Sequence, residues 1–143
     1  MTIQWFPGHM AKAKKEVEEK LKFVDLVIEL LDARAPLSSQ NPMLQEVIRN
    51  KSKLVILMKS DLADDEVTKS WIHYFTTKNV HAISIHVNDR SDIQKVIRNV
   101  KEISKIEMEK RKKKGIQTRV IRAMIVGIPN VCAHVNRFFV LVR

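Results

Sequence analysis

Apolar and polar positions along the chain alternate between two kinds of pattern. Short, nearly continuous apolar runs lie at residues 26–31, 53–58 and 120–126, with a weaker one at 80–84. Runs of this length, rich in Leu, Ile and Val, are the signature of strands buried on both faces. Between them the apolar residues fall at three- and four-residue spacings. Met10, Ala13, Val17 and Leu21 define one amphipathic helix over residues 10–22, and Ile93, Val96, Ile97, Val100 and Ile103 define another. Punctuation agrees: Asn41 with Pro42 is a cap followed by a first-turn proline, opening a helix to about Arg49. Asp64 caps a helix through Lys78, Ser91 opens the long helix, and Gly115 ends it.

The order helix, strand, helix, strand, helix, strand, helix, strand predicts an α/β fold with a parallel sheet and right-handed crossovers. In such sheets ligands gather at the carboxyl ends of the strands. Those ends are Asp32, Ala33, Arg34; Met58, Lys59, Ser60, Asp61; Ser84, Ile85; and Gly127, Ile128, Pro129, Asn130. All are polar or glycine-bearing, consistent with one shared site.

Composition narrows the class. At 143 residues and 45% apolar content the chain suits one globular domain. No apolar run approaches the roughly 20 residues of a membrane span, and the opening residues lack a basic-then-apolar leader. A single cysteine excludes an internal disulfide framework and suits a reducing cytoplasm. The net charge of +10 points to a polyanionic partner, nucleic acid or ribonucleoprotein first.

Two motifs carry chemistry. The apolar run ending at Val126 feeds Gly127, the first position of the phosphate-loop pattern G-x-x-x-x-G-K-[ST]. The second glycine, lysine and hydroxyl of that pattern fall at positions occupied by Cys132, Ala133 and His134. A Cβ therefore stands where backbone N–H groups must approach phosphate, the cation is gone, and an imidazole replaces a hard oxygen ligand. The second motif is Lys59-x-Asp61, directly after a buried strand. A carboxylate there accepts hydrogen bonds from guanine N1 and N2, the lysine stem lies along the base, and backbone N–H groups around Ser84 meet guanine O6. The base-reading motif precedes the phosphate loop, so the order is circularly permuted.

With these motifs the chain resembles the YlqF/RbgA family of circularly permuted GTPases, the ribosome biogenesis GTPase A group. The matching segments are Trp5, Phe6, Pro7, Gly8, His9, Met10, Ala11, Lys12 and Ala13; Asp32, Ala33 and Arg34 with the Pro36 to Pro42 loop; Lys59, Ser60 and Asp61; and Gly127, Ile128, Pro129, Asn130 and Val131. The match runs from about residue 3 to residue 131. The resemblance implies assembly of the large ribosomal subunit and its rRNA, timed by GTP hydrolysis to GDP. It assigns His9 to positioning the attacking water and Asn130 to a potassium ion, with Mg2+ expected for the family.

The chain departs from the family at Met58, where an asparagine is usual, and at Ile85, where alanine is usual. Beyond Val131 nothing matches. These observations predict a partial GTPase domain over residues 1–131 with about four strands, β-strand 120–126 exposed at its edge, and a divergent tail over residues 132–143 of the kind a shifted reading frame produces. The predicted nucleotide-binding positions are Met58, Lys59, Ser60, Asp61, Ser84, Ile85, Gly127, Ile128, Pro129, Asn130, Val131, Cys132, Ala133 and His134, with little or no hydrolysis. Two alternatives stand beside this reading: a non-enzymatic basic α/β module that binds ribosomal RNA, and a non-functional fragment. Trp71, Ile72 and Phe75 read as core, the basic run at 110–114 as a solvated helix end, and His73, His81 and His86 receive no role.

Overall fold

The computed structural model describes residues 7–86, 88–127 and 139–142. Four helices and five strands follow in order: α1 (Pro7–Leu21), β1 (Leu26–Asp32), α2 (Pro42–Ile48), β2 (Ser52–Met58), α3 (Asp65–Thr77), β3 (His81–Ser84), α4 (Arg90–Lys113), β4 (Ile121–Gly127) and β5 (Phe139–Val142). The strands form one sheet in the order β3-β2-β1-β4-β5. The first four are mutually parallel, as the sequence predicts, and β5 runs antiparallel to β4. The far edge of β4 is therefore paired rather than open.

Alternation along β1 separates the core into two faces. Leu26, Ile28 and Leu30 pack with Leu54, Ile56, Ile83, Ile121 and Ala123 beneath Val100 and Ile103 of α4. Val27 on the opposite face packs with Leu21, Ile48, Met124 and Val126, while Leu31 packs with Val55, Leu57 and Phe75 of α3. Each such aliphatic side chain, fully buried, contributes about 1.5–3 kcal/mol. Trp71 and Ile72 pack against the α3 cluster, in line with their reading as core.

Local chemistry explains most boundaries. Asn41 caps α2 by accepting from the Met43 N–H at 3.0 Å, and Asp64 caps α3 by accepting from Val67 at 2.9 Å. The cap of α4 is Asp89, whose carboxylate accepts from the Ser91 N–H, so the helix begins earlier than Ser91. Gly115 terminates it with φ of +69°, a conformation glycine adopts without strain. At the start of the chain, Pro7, Gly8 and His9 belong to the first turn of α1 instead of a turn before it. Proline suits that position because its missing N–H is one the helix cannot use.

The base of the β1–β4 pair is clamped by one buried carboxylate. Asp25 accepts from the guanidinium of Arg111, from Arg119 at 3.2 Å, and from the Arg122 backbone N–H at 3.0 Å. Its own N–H donates to the Arg122 carbonyl at 2.8 Å. This ties the end of α4 and the approach to β4 onto β1. Replacing the carboxylate strands two guanidinium groups and a buried N–H. Asp25→Ala should lower the free energy of unfolding in urea by about 2–4 kcal/mol; a loss below about 0.5 kcal/mol would show the clamp to be ornamental.

Candidate functional site

The strand order places a topological switch between β1 and β4. The chain steps outward from β1 to β2 to β3 with α2 and α3 on one face, then returns across the sheet through α4 to the other side of β1. Crossovers diverge there, and in open parallel sheets the carboxyl ends at such a point are where ligands bind. The carboxyl ends of β3, β2, β1 and β4 thus line one edge in that spatial order.

At β2 the backbone turns sharply. Lys59 adopts φ of 59° and ψ of 38°, a left-handed conformation that costs a non-glycine residue about 1–2 kcal/mol. The turn swings Ser60 and Asp61 into a short 3-10 helix, with the Ser60 N–H donating to the Ile85 carbonyl at 3.3 Å. Asp61 is left outward, its side chain 39% exposed, facing His86 Nε2 at 3.7 Å. Lys59 Nζ leans toward β1 and stands 3.7 Å from Asp32 Oδ2.

Asp32 anchors the middle of the edge. Arg34 grips it with both arms of the fork, Nε to Oδ1 at 3.0 Å and Nη2 to Oδ2 at 2.8 Å, and adds its backbone N–H at 2.9 Å. The Asp32 N–H donates to Ser39 Oγ, whose hydroxyl donates to the Pro36 carbonyl and folds the loop back on itself. The Arg34 hydrogen bond, opposed by partial burial, holds the Asp32 carboxyl at about 2.

Around β3 the geometry differs from the simple sequence picture. The Ile85 side chain is buried and its N–H donates to the Leu57 carbonyl at 2.9 Å, committing it to the sheet. The His86 N–H donates to Asp92 at 2.6 Å, and the Ser84 carbonyl accepts from Lys95 at 3.1 Å. Met58 is 4% exposed and packs in the α4-side core, so its side chain serves the hydrophobic interior. Gly127 closes the edge opposite Leu30. A Cβ there would meet both Leu30 Cβ and the Leu30 carbonyl at 3.3 Å, closer than ordinary contact, so glycine permits the close approach of β4 to β1.

The structure thus brings together Lys59, Ser60, Asp61, Ser84 and Ile85 on one side of Asp32 and Gly127 on the other. Of His9 it describes only the backbone, in α1; Ile128, Pro129, Asn130, Val131, Cys132, Ala133 and His134 lie outside the described residues. The Asp32–Arg34 pair and His86 join the site without having been predicted as contacts. Their positions at strand ends were the available signal, whereas pairing between loops requires the strand order. Among the described residues no cluster of acidic, histidine or cysteine side chains has the arrangement of a metal site.

No family model matches the chain. Among curated proteins it is 54% identical over 131 residues to ribosome biogenesis GTPase A of Bacillus cereus, covering 92% of this chain and 44% of that protein. It is 51% identical over 131 residues to ribosome biogenesis GTPase A of Bacillus pumilus, covering 92% and 46%. Among solved structures, GNP-bound YlqF from T. maritima superposes with a TM-score of 0.60 at 28% identity, covering 84% of this chain and 43% of that one. The fold is that of a GTPase domain in circularly permuted order. Over the matched residues the chain belongs to the YlqF/RbgA family, ribosome biogenesis GTPase A, and it spans just under half the length of these relatives.

The Asp32–Arg34 pair carries a pH signature. A carboxyl depressed in the folded state stabilises the fold above its ordinary value of 3.8, and that contribution is lost as pH falls through about 2. Arg34→Gln should return the carboxyl toward its ordinary range and flatten the acid limb of the stability curve. Thermal midpoints measured across that window should fall more steeply for the wild type than for the variant; parallel curves would contradict the assignment.

Proposed function

We propose that this chain binds guanine nucleotide across the carboxyl edge of its sheet, as the nucleotide-reading part of a protein that assists assembly of the large ribosomal subunit. The observation that carries this is the spatial order of the edge: the His86 and Asp61 loops, then Asp32, then Gly127. Three inter-strand gaps of about 4.8 Å put Gly127 roughly 14 Å from the β3 loop. A nucleotide laid along that edge has its base at Asp61 and its phosphates on the Gly127 side. Permutation of the chain alters the sequence order of these loops and leaves their spatial order intact.

The base end fits guanine. Asp61 is outward-facing and accepts from the N1 and N2 hydrogens, and the Lys59 stem flanks the ring. The Ile85 N–H is already bonded to Leu57, and Met58 is buried, so this half-site offers fewer hydrogen bonds than an asparagine at 58 would supply. Each missing bond weakens binding by about 0.5–1.5 kcal/mol.

The phosphate end fits less well. Ala133 supplies no cation, His134 no hard oxygen for Mg2+, and Cys132 no glycine for close backbone approach. Phosphoryl transfer depends on those elements for positioning and charge stabilisation, so hydrolysis is absent or very slow. The roles of His9 toward water and of Asn130 toward potassium belong to this reading through the family. So does the division into a partial GTPase domain over residues 1–131 and a divergent tail over residues 132–143. A cytoplasmic setting belongs to this reading through ribosome assembly, and no helix among the described residues is long and apolar enough to cross a membrane.

Asp61→Asn tests the base pocket by its chemistry. The amide oxygen still accepts from N1–H, but the amide N–H2 now faces the guanine N2 amino group, donor against donor, and donates instead to the C2 carbonyl that xanthine carries in its place. Competition of fluorescent GDP by unlabelled GDP and XDP should shift from GDP preference in the wild type to XDP preference in the variant, by about tenfold or more. Unchanged selectivity would remove Asp61 from the site.

A further inference from the structure

A second concave surface lies at the opposite edge of the sheet. A cleft of about 510 Å³ opens where β2 and β3 begin, between the end of α2, the end of α3 and the C-terminal half of α4. Its walls carry Arg49, Lys51, Lys53, Lys78 and Lys110 against one acidic lining residue, Glu107. Asn50, Ser52 and Asn79 add neutral hydrogen-bonding groups.

The interior of this wall is built, not incidental. Glu29 projects from the middle of β1, 2% exposed, and accepts from the Gln45 amide. Lys53 Nζ stands 3.3 Å from its second oxygen, which accepts no hydrogen bond, and donates to Gln45 Oε1 at 2.8 Å. The buried carboxylate therefore fixes Lys53 and Gln45 in the cleft wall. Lys51 donates to the Val24 carbonyl at 2.9 Å, a contact that holds its stem and leaves its charge uncompensated. Lys110 bridges to Glu107 at 2.9 Å and neutralises the acidic lining residue. Lys78 rests over the Tyr74 ring at 5.1 Å, again keeping its charge. Arg49 is exposed at the end of α2.

We propose that this cleft is a binding surface for the phosphodiester backbone of structured RNA. Lysine and arginine with asparagine and serine are the side chains that contact phosphate oxygens. No Phe, Tyr or Trp lines the cleft, and the single imidazole there, His81, is too small a platform for stacking a run of unpaired bases. Its chemistry suits recognition of a helix by shape and phosphate. Lys112 and Lys113, exposed at the end of α4, extend the positive surface beyond the cleft. The seven residues of β2 separate the cleft from the Lys59 turn by roughly 20 Å, enough for RNA and nucleotide to be held at the same time. The inference goes beyond the nucleotide-binding reading and borrows from it only the choice of RNA as the polyanion.

The test uses the full chain and a fluorescein-labelled RNA hairpin with a stem of about 16 base pairs, titrated by anisotropy over a range of KCl concentrations. Arg49→Glu with Lys78→Glu reverses two exposed cleft charges. Lys101→Glu with Lys105→Glu reverses two exposed charges on the opposite side of α4 and changes net charge equally. The cleft pair should weaken binding about tenfold or more and flatten the log K against log[KCl] slope by roughly 1.4–1.8, as two lost phosphate contacts require. The α4 pair should stay within about twofold of wild type. Arg49→Gln with Lys78→Gln, smaller in perturbation, should give the same effect in weaker form, and circular dichroism melts confirm folding of each variant. Equal losses from the cleft and α4 pairs, no loss from the cleft pair, or no RNA binding by the wild type would each overturn the proposal. Displacement of RNA by polyglutamate at equal charge concentration would do so too, assigning the cleft to acidic protein segments. Fluorescent GDP titrated into the same samples separates the two readings: retained guanine selectivity without cleft-dependent RNA binding defeats this inference alone, and the reverse result defeats the nucleotide reading alone.

Discussion

The parallel pairing of β1 with β4 joins the two ends of the described chain's logic: at its base Asp25 gathers Arg111, Arg119 and the Arg122 N–H, and at its tip Gly127 lies against Leu30 closer than a Cβ would ordinarily sit. Only this pairing sets Gly127 beside the ends of β1, β2 and β3. Without it, β4 is a strand connected by one long helix to the wrong side of the sheet. The clamp lies at the amino ends of the strands and the proposed nucleotide edge at their carboxyl ends, so the two are separated along the strand axis. A buried carboxylate with several donors costs desolvation, and is worth retaining here because it fixes one register between two strands far apart in sequence.

Much of this was legible from pattern alone. Continuous apolar runs gave the four parallel strands, because a strand covered on both faces has no polar side to alternate with. Asn41, Asp64 and Gly115 marked helix ends through local hydrogen bonds and backbone geometry that sequence neighbours determine. The departures have physical causes as well. Ile93 and Ile97 keep helical spacing yet are 49% and 41% exposed. Val96 and Val100, on either side of Ile97, pack on the sheet, so the apolar stripe of α4 is wider than the strip of helix that the sheet covers. The pairing of β5 with β4 joins segments separated by residues 128–138, longer than the two- to five-residue loops that announce a hairpin in sequence, and the Pro7 helix start competes with an equally good turn reading of Pro-Gly.

The site divides along the same line. Lys59, Asp61 and Gly127 were readable because their types and positions after strands have few alternative uses in this combination. Met58 was readable as a departure from the family, though its burial follows from the alternation of β2, which points it into the α4-side core with Leu54 and Ile56. The commitment of the Ile85 N–H to Leu57 and the His86 approach to Asp61 are properties of the sheet edge and invisible in one dimension. The basic cleft was equally hidden: its cations come from four elements and meet only when the strands align.

The central claim is that one sheet edge, assembled around the β1–β4 switch, receives guanine nucleotide. Amide shift mapping by two-dimensional NMR during titration with GDP tests it most directly, residue by residue. The account predicts perturbations concentrated at residues 32–34, 59–61, 84–86 and 127, with residues 49–53 and 78–81 at the other end of the sheet undisturbed. Perturbations confined to that far end, or absent from a folded chain at millimolar GDP, would contradict it.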